Sequence, residues 1–232
     1  MSNLVTYRIE DSVAVITMDD GKLNVLSPRM FSELNGALDR AVADRAGVVL
    51  TGRQGAFSAG FDLRVLAGGG PDAYGMVRSG FELGERILSF PTPVVAACNG
   101  HARAMGVFLL LSGDYRIGAV GDYKIQANEV AIGITMPFFG VEICRQRLTP
   151  AHFNRAVINA ESYAPDDAVA AGFLDRIVPA SDLLGAARSI AADLAQLNRT
   201  AHAATKLRAR AEALKAIRAA IEADDAAFHA VA

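Results

Sequence analysis

Two stretches of small residues stand out in this 232-residue chain: FSAGFDL at 57–63 and CNGHARAMGVFLLL at 98–111. Neither forms the G-x-S-x-G elbow that a hydrolytic serine needs, because Gly55 lies three residues before Ser58. What both offer is backbone. Gly60 has no Cβ, so a ligand can approach closely or the chain can take a positive φ. The apolar run from Met105 reads as a helix, whose first N–H groups lack intrahelical acceptors and carry the positive end of the peptide dipoles. One N–H from each stretch, converging on a single oxygen, would make an oxyanion hole for charge developing on a carbonyl. Losing one such donor costs about 2.7–4 kcal/mol of barrier.

The surrounding elements must hold those two stretches together. LVTYRIE and SVAVITMD alternate apolar and polar residues around Glu10-Asp11-Ser12, which predicts an opening β-hairpin. In SPRMFSELNGALDRAVAD, Ser27 is placed as N-cap and Pro28 at the first helical position. GVVLTG and TPVVAACNG are short continuous apolar runs, the mark of strands buried on both faces. DYRIGA and GFLDRIV read as further strands, and MVRSGFELGERILSF and most of the chain after MPFFG as helix. The Gly-rich AGGGPDAYG reads as a mobile loop between them. Strand alternating with helix predicts an α/β core. Leu207, Leu214, Ile221 and Phe228 recur every seven residues, a narrow seam that packs either on the chain's own domain or on another subunit.

Composition narrows the function. Hydrophobic residues make up 52% of the chain and the net charge is −2, so a large core is expected and no basic stripe points to nucleic acid. No apolar run reaches the length of a membrane span, and the first residues lack a signal-peptide pattern, so a cytoplasmic location is expected. Cys98 and Cys144 give no C-x-x-C pair, and His152, His202 and His229 show no metal-ligand spacing.

AFSAGFDL together with PTPVVAACNGHARAMGVFLLLSGDYRIGA resembles the crotonase (enoyl-CoA hydratase/isomerase) superfamily. The likeness runs from VAVITMDDGKLNVLS through SYAPDDAVAAGFLDRIVP to the helical tail. It implies a spiral of ββα units over residues 1–195 and a helical oligomerisation region over 196–232, assembled as a homotrimer or a hexamer. It also implies a coenzyme A thioester as substrate, with no covalently bound cofactor. By position, the oxyanion donors are the amides of Phe61 and Met105. The coenzyme A contacts map onto Lys22, Val25, Leu26, Ser58, Gly60, Asp62, Leu63 and Arg64, with Arg64 suited to the adenosine phosphates.

Hydratases of the family use two glutamates. The first position holds Phe108, which neither takes nor gives a proton; the second falls on Glu129 in IQANEVAIGITMP. A carboxylate among apolar residues is costly unless paired or functional, and burial would raise its pKa towards neutrality. One base and one oxyanion hole suffice for a 1,3-proton shift, so the resemblance and these residues favour Δ3,Δ2-enoyl-CoA isomerisation. Hydration of 2-enoyl-CoA is the alternative, and a catalytically weak acyl-CoA binder a further one. His101, near the second stretch, is a spare acid–base group or a packing residue. Glu142 is expected to pair on its helix, Asp114 to serve a turn or cap, and Phe138 and Phe139 to line the acyl pocket or the core.

Overall fold

The computed structural model describes residues 3–230, with side chains through Phe228. The chain opens on the expected hairpin. β1 (Val5–Glu10) and β2 (Val13–Met18) pair antiparallel, and Asp11 takes a φ of 52° in the turn. After the two-residue β3 (Val25–Leu26), Ser27 caps α1 (Pro28–Ala43) by accepting the Met30 N–H at 3.2 Å, with Pro28 in the first turn. β4 (Gly47–Thr51) is buried along its whole length. β5 (Gly55–Ser58) and β6 (Gly60–Phe61) follow.

The Gly-rich stretch is largely helical rather than a loop. α2 (Leu63–Gly68) stops at Gly69 and α3 (Gly70–Leu88) starts at once. Gly69 and Gly70, at φ 60° and 66°, supply a left-handed break that other residues would resist. Pro71 then sits in the first turn of α3, where its missing N–H costs nothing. The buried strand β7 (Val94–Cys98) leads to β8 (Gly100–Arg103) and α4 (Met105–Leu111), every residue of which is buried. β9 (Tyr115–Ala119) and β10 (Ile125–Gln126) precede α5 (Phe138–Arg147), α6 (Pro150–Val157) and α7 (Pro165–Ala171). β11 (Arg176–Val178), α8 (Leu183–Ala195), α9 (Arg199–Ala209) and α10 (Ala211–Ala230) complete the chain.

Six strands form the main sheet in the order β1-β2-β4-β7-β9-β11, parallel from β2 onward. Two smaller parallel sheets stand beside it: β10-β8-β5, and β3 with β6. This is a mixed α/β architecture with helices at the C-terminal end, as the resemblance implies. The seven-residue seam does not run along one rod, because the helix breaks at Arg210 between α9 and α10. Ile221 is therefore buried, Leu214 and Phe228 pack half-buried on the core, and Leu207 stays 46% exposed. Lys206, 7% exposed, anchors α9 by donating to the carbonyls of Phe90 and Thr92 and to Asp114. No helix among the described residues is long and apolar enough to cross a membrane.

Candidate active site

The three-stranded sheet sets the geometry. β5, β8 and β10 are parallel neighbours, so the segments leaving their carboxyl ends emerge along one edge, strands being about 4.8 Å apart. β5 leads into Gly60 and Phe61, β8 into Met105, and β10 into Glu129. The three candidate catalytic positions thus follow three adjacent strand ends, the place where open parallel sheets bind ligands.

Close contact between the first two segments depends on glycine. A Cβ on Gly60, which has φ +91°, would lie 2.9 Å from the Ala104 Cβ and 3.3 Å from the Met105 nitrogen. A Cβ on Gly106 would lie 2.4 Å from the Ser58 carbonyl oxygen. Only bare backbone fits at both places. α4 begins at Met105, as a donor there requires, and the Met105 side chain is fully buried in the core. The residue before it, Ala104, sits at φ 47° and ψ −129°, a sparsely populated conformation for a residue with a Cβ. It is held there from both sides: its N–H donates to the Gln126 carbonyl, and its carbonyl accepts from Val107 and Phe108. On the first segment the Asp62 N–H donates to the Leu26 carbonyl across the β3–β6 pair. Alternation along the strand leaves the Phe61 N–H on the other edge.

Glu129 is 5% exposed and opens a single 3-10 turn over Val130–Ile132. Its Oε2 is buried without a hydrogen-bond partner among the described residues. Burial pushes its pKa up to about 7, opposed only by a bond to its own N–H. The thiol of Cys144 on α5 is raised by burial and, secondarily, by the charge of Glu129. Desolvation without a cation is what a proton carrier working near neutrality requires.

Phe108 is 1% exposed and belongs to a wall of rings. It meets Phe139 edge-on at 6.1 Å; Phe139 stacks on Phe81 at 4.6 Å, and Phe81 and Phe31 meet Phe61 at 5.9 and 6.0 Å. Gly84 and Gly140 seat two of those rings, since a Cβ at either would fall 2.6 Å from Phe139 or Phe108. The ring of Phe138, next to the buried Phe139, is 55% exposed.

β3 brings the segment with Lys22, Val25 and Leu26 alongside Gly60, Asp62, Leu63 and Arg64: Val25 pairs with Gly60 and Leu26 with Phe61. Lys22, Leu63 and Arg64 are exposed; Asp62 caps α2 by accepting from the Arg64 N–H. Ser58 is fully buried, donating its hydroxyl to the Asn24 carbonyl and accepting from the Gly60 N–H. Asn24 is a positioning residue that sequence reasoning missed. Its amide donates to the carbonyls of Met18 and Ala56, fastening this segment to the strand before the first loop. An Asn between Leu23 and Val25 carries no local signal of that job.

The remaining candidates separate clearly. His101 Nδ1 accepts the Lys124 N–H at 3.1 Å, and the ring lies edge-on to Tyr123, which is a packing role. Glu142 pairs with Arg145. Asp114 does more than cap a turn: it accepts from Val94 N–H, Lys206 and Arg210. Among the described residues no three His, Cys, Asp or Glu side chains gather to hold a metal ion.

The chain is similar to known proteins over most of its length. The family model described as "Enoyl-CoA hydratase/isomerase" matches residues 8–232. The structure of an enoyl-CoA hydratase from Mycobacterium ulcerans is 52% identical, with a TM-score of 0.93 over 97% of this chain and 99% of that one. A Mycobacterium tuberculosis protein, named an enoyl-CoA isomerase with one structure and a probable enoyl-CoA hydratase with another, is 50% identical, with TM-scores of 0.93 and 0.94 over 97% of this chain and 99% and 96% of those chains. The human mitochondrial enoyl-CoA delta isomerase 1 is 32% identical over 182 residues, 76% of this chain and 60% of its own length. The first curated relatives are matched over 55% to 79% of their length.

Proposed function

Since the chain belongs to the enoyl-CoA hydratase/isomerase family, an enzyme family, we propose that it moves a double bond in an enoyl-CoA from the Δ3 to the Δ2 position, with Glu129 as the single proton carrier. The observation behind this reading is the contrast between positions 129 and 108: a desolvated carboxyl raised to about 7, and a buried phenyl ring where a second carboxyl would stand.

The thioester oxygen accepts from the Phe61 and Met105 N–H groups, which draws electron density onto it and acidifies the α carbon. The Glu129 carboxylate removes an α proton, leaving a dienolate spread from oxygen to the γ carbon. The same carboxyl, now protonated, gives that proton to the γ carbon, and the double bond reforms between α and β. No water enters, and Glu129 ends as it began. Lys22, Val25 and Leu26, with Ser58, Gly60, Asp62, Leu63 and Arg64, hold the coenzyme A portion, and Arg64 meets its phosphates. The exposed Leu207 fits a C-terminal contact with other copies in a trimer or hexamer.

Hydration of a 2-enoyl-CoA is the second reading, favoured by the hydratase names of several relatives. Supplying the pure protein with a 3-enoyl-CoA and a 2-enoyl-CoA separates the two. Isomerisation of the first is expected to be the faster reaction; water addition to the second at a clearly higher rate overturns the isomerase reading.

A further inference from the structure

Asp224 lies on α10, far along the chain from Glu129, yet it is 5% exposed. Its two carboxylate oxygens accept one N–H each, from Phe138 and Phe139, both at 2.8 Å. These are the first two residues of α5, whose own N-cap, Pro137, offers no side-chain acceptor. Helix starts need such acceptors, and an anion there also complements the peptide dipoles. No cation pairs with Asp224 among the described residues; the neighbouring Glu222 and Asp225 pair with Arg78 instead. The C-terminal helix therefore supplies the cap that α5 lacks.

The capped end of α5 is also the far end of the segment that begins at Glu129. Between them, Val130, Ile132 and Ile134 are 44–52% exposed, so up to Met136, which is buried in the core, the segment draws little restraint from packing. It is tied at its start by the Ile132 N–H to the Asn128 carbonyl and the Ile134 N–H to the Glu129 carbonyl, and at its end by burial of Met136 and by Asp224. Phe139, held by the cap, stacks on Phe81 and abuts Phe108, so the cap also fixes one ring of that wall.

We infer that Asp224 is a positioning residue for Glu129: by holding the start of α5 it fixes the segment that aims the catalytic carboxyl. This rests on the proton-carrier reading of Glu129.

The test replaces Asp224 by Asn, which removes the charge and one acceptor, and assays 3-hexenoyl-CoA isomerisation. Alongside it, the titration of Glu129 is followed by NMR with 13C-carboxyl-labelled glutamate, assigned through Glu129→Gln. Ile221→Val and Ile221→Ala, which trim the buried face of the same helix, calibrate what looser docking alone does. Expected is a kcat about tenfold or more lower at unchanged KM, since a misplacement of about 1 Å costs up to about 10²-fold. A shifted Glu129 titration midpoint is expected with it. The Ile221 variants, at equal or greater loss of melting temperature, should keep kcat within about twofold and the midpoint in place. A D224N protein whose kcat and midpoint follow the Ile221 series overturns the inference. If D224N does not fold, Asp224→Ser, which keeps one neutral acceptor, carries the same comparison. Failure of the underlying reading looks different: Glu129→Gln would then retain turnover, while the titration still reports whether Asp224 governs the surroundings of residue 129.

Discussion

Asp114 and Glu129 are both withdrawn from water, and the fold treats them in opposite ways. Asp114 accepts from Lys206 at 2.6 Å, from Arg210 at 2.9 Å and from the Val94 N–H at 2.8 Å. Those bonds join α9 and the start of α10 to the β7 edge, and the charge is fully used in doing so. Among the described residues Glu129 has no cation and one oxygen without a donor, so its charge joins nothing there. A fold tolerates such a group where its protonation can change, which is why perturbed carboxyls mark functional sites. The saturated acid belongs to stability and the starved one to chemistry.

The largest expected effect tests the second half of that contrast. Glu129→Gln should lower turnover on 3-enoyl-CoA by about 10²–10⁴-fold with coenzyme A binding intact; a loss under about fivefold would remove Glu129 from the chemistry. In the unaltered protein, kcat should fall as pH drops through about 7, because protonation removes the base.

Asp114→Ala tests the first half. Removing one member of a buried ion pair costs about 3–5 kcal/mol. Denaturant unfolding should show that loss, with activity per folded molecule preserved. A cost below about 1 kcal/mol would place Asp114 with screened surface pairs, and the contrast would collapse.

The stability of Glu129→Gln sharpens the comparison further. The folded-state pKa, raised from 4.5 to about 7, means that the folded protein binds more protons than the unfolded chain between those values. Stability therefore falls as pH rises through that window, and above about pH 7 the ionised acid costs up to about 3 kcal/mol. The Gln variant should be more stable than the parent at pH 8, with the difference vanishing near pH 4. Equal stability at both pH values would mean that residue 129 is not desolvated.

Ala104→Gly gives the smallest effect. Glycine accepts a φ of 47° without the Cβ strain, so a gain of about 1 kcal/mol is expected in thermal unfolding. A destabilised A104G protein would show that Ala104 is not strained.

The main sheet was legible because its strands are continuous apolar runs, as in GVVLT and VVAAC, and α1 because Ser27 and Pro28 announce it. The small sheet was not. β10 spans two residues and β5 and β8 four each, too short for any periodicity to register, and their pairing joins segments far apart in the chain. AGGGPDAYG misled because glycine weakens a helix locally, whereas the packing of Ala73, Met76 and Val77 overrides that weakness in α3. Glu129 was visible from its apolar neighbours together with the family pattern. Asn24 and Asp224 were invisible because their partners are main-chain groups, which leave no trace in the spacing of side chains.

The cap on α5 has a consequence for synthesis. Phe138 and Asp224 are 86 residues apart. At about 5–20 residues per second, a ribosome needs about 4–17 s to make the intervening chain. Throughout that interval the nascent α5 has its amides formed and their carboxylate not yet translated. The helix α10 therefore closes a structure begun 86 residues earlier, and a product released before residue 224 would carry the acid at 129 without the clasp at the other end of its segment.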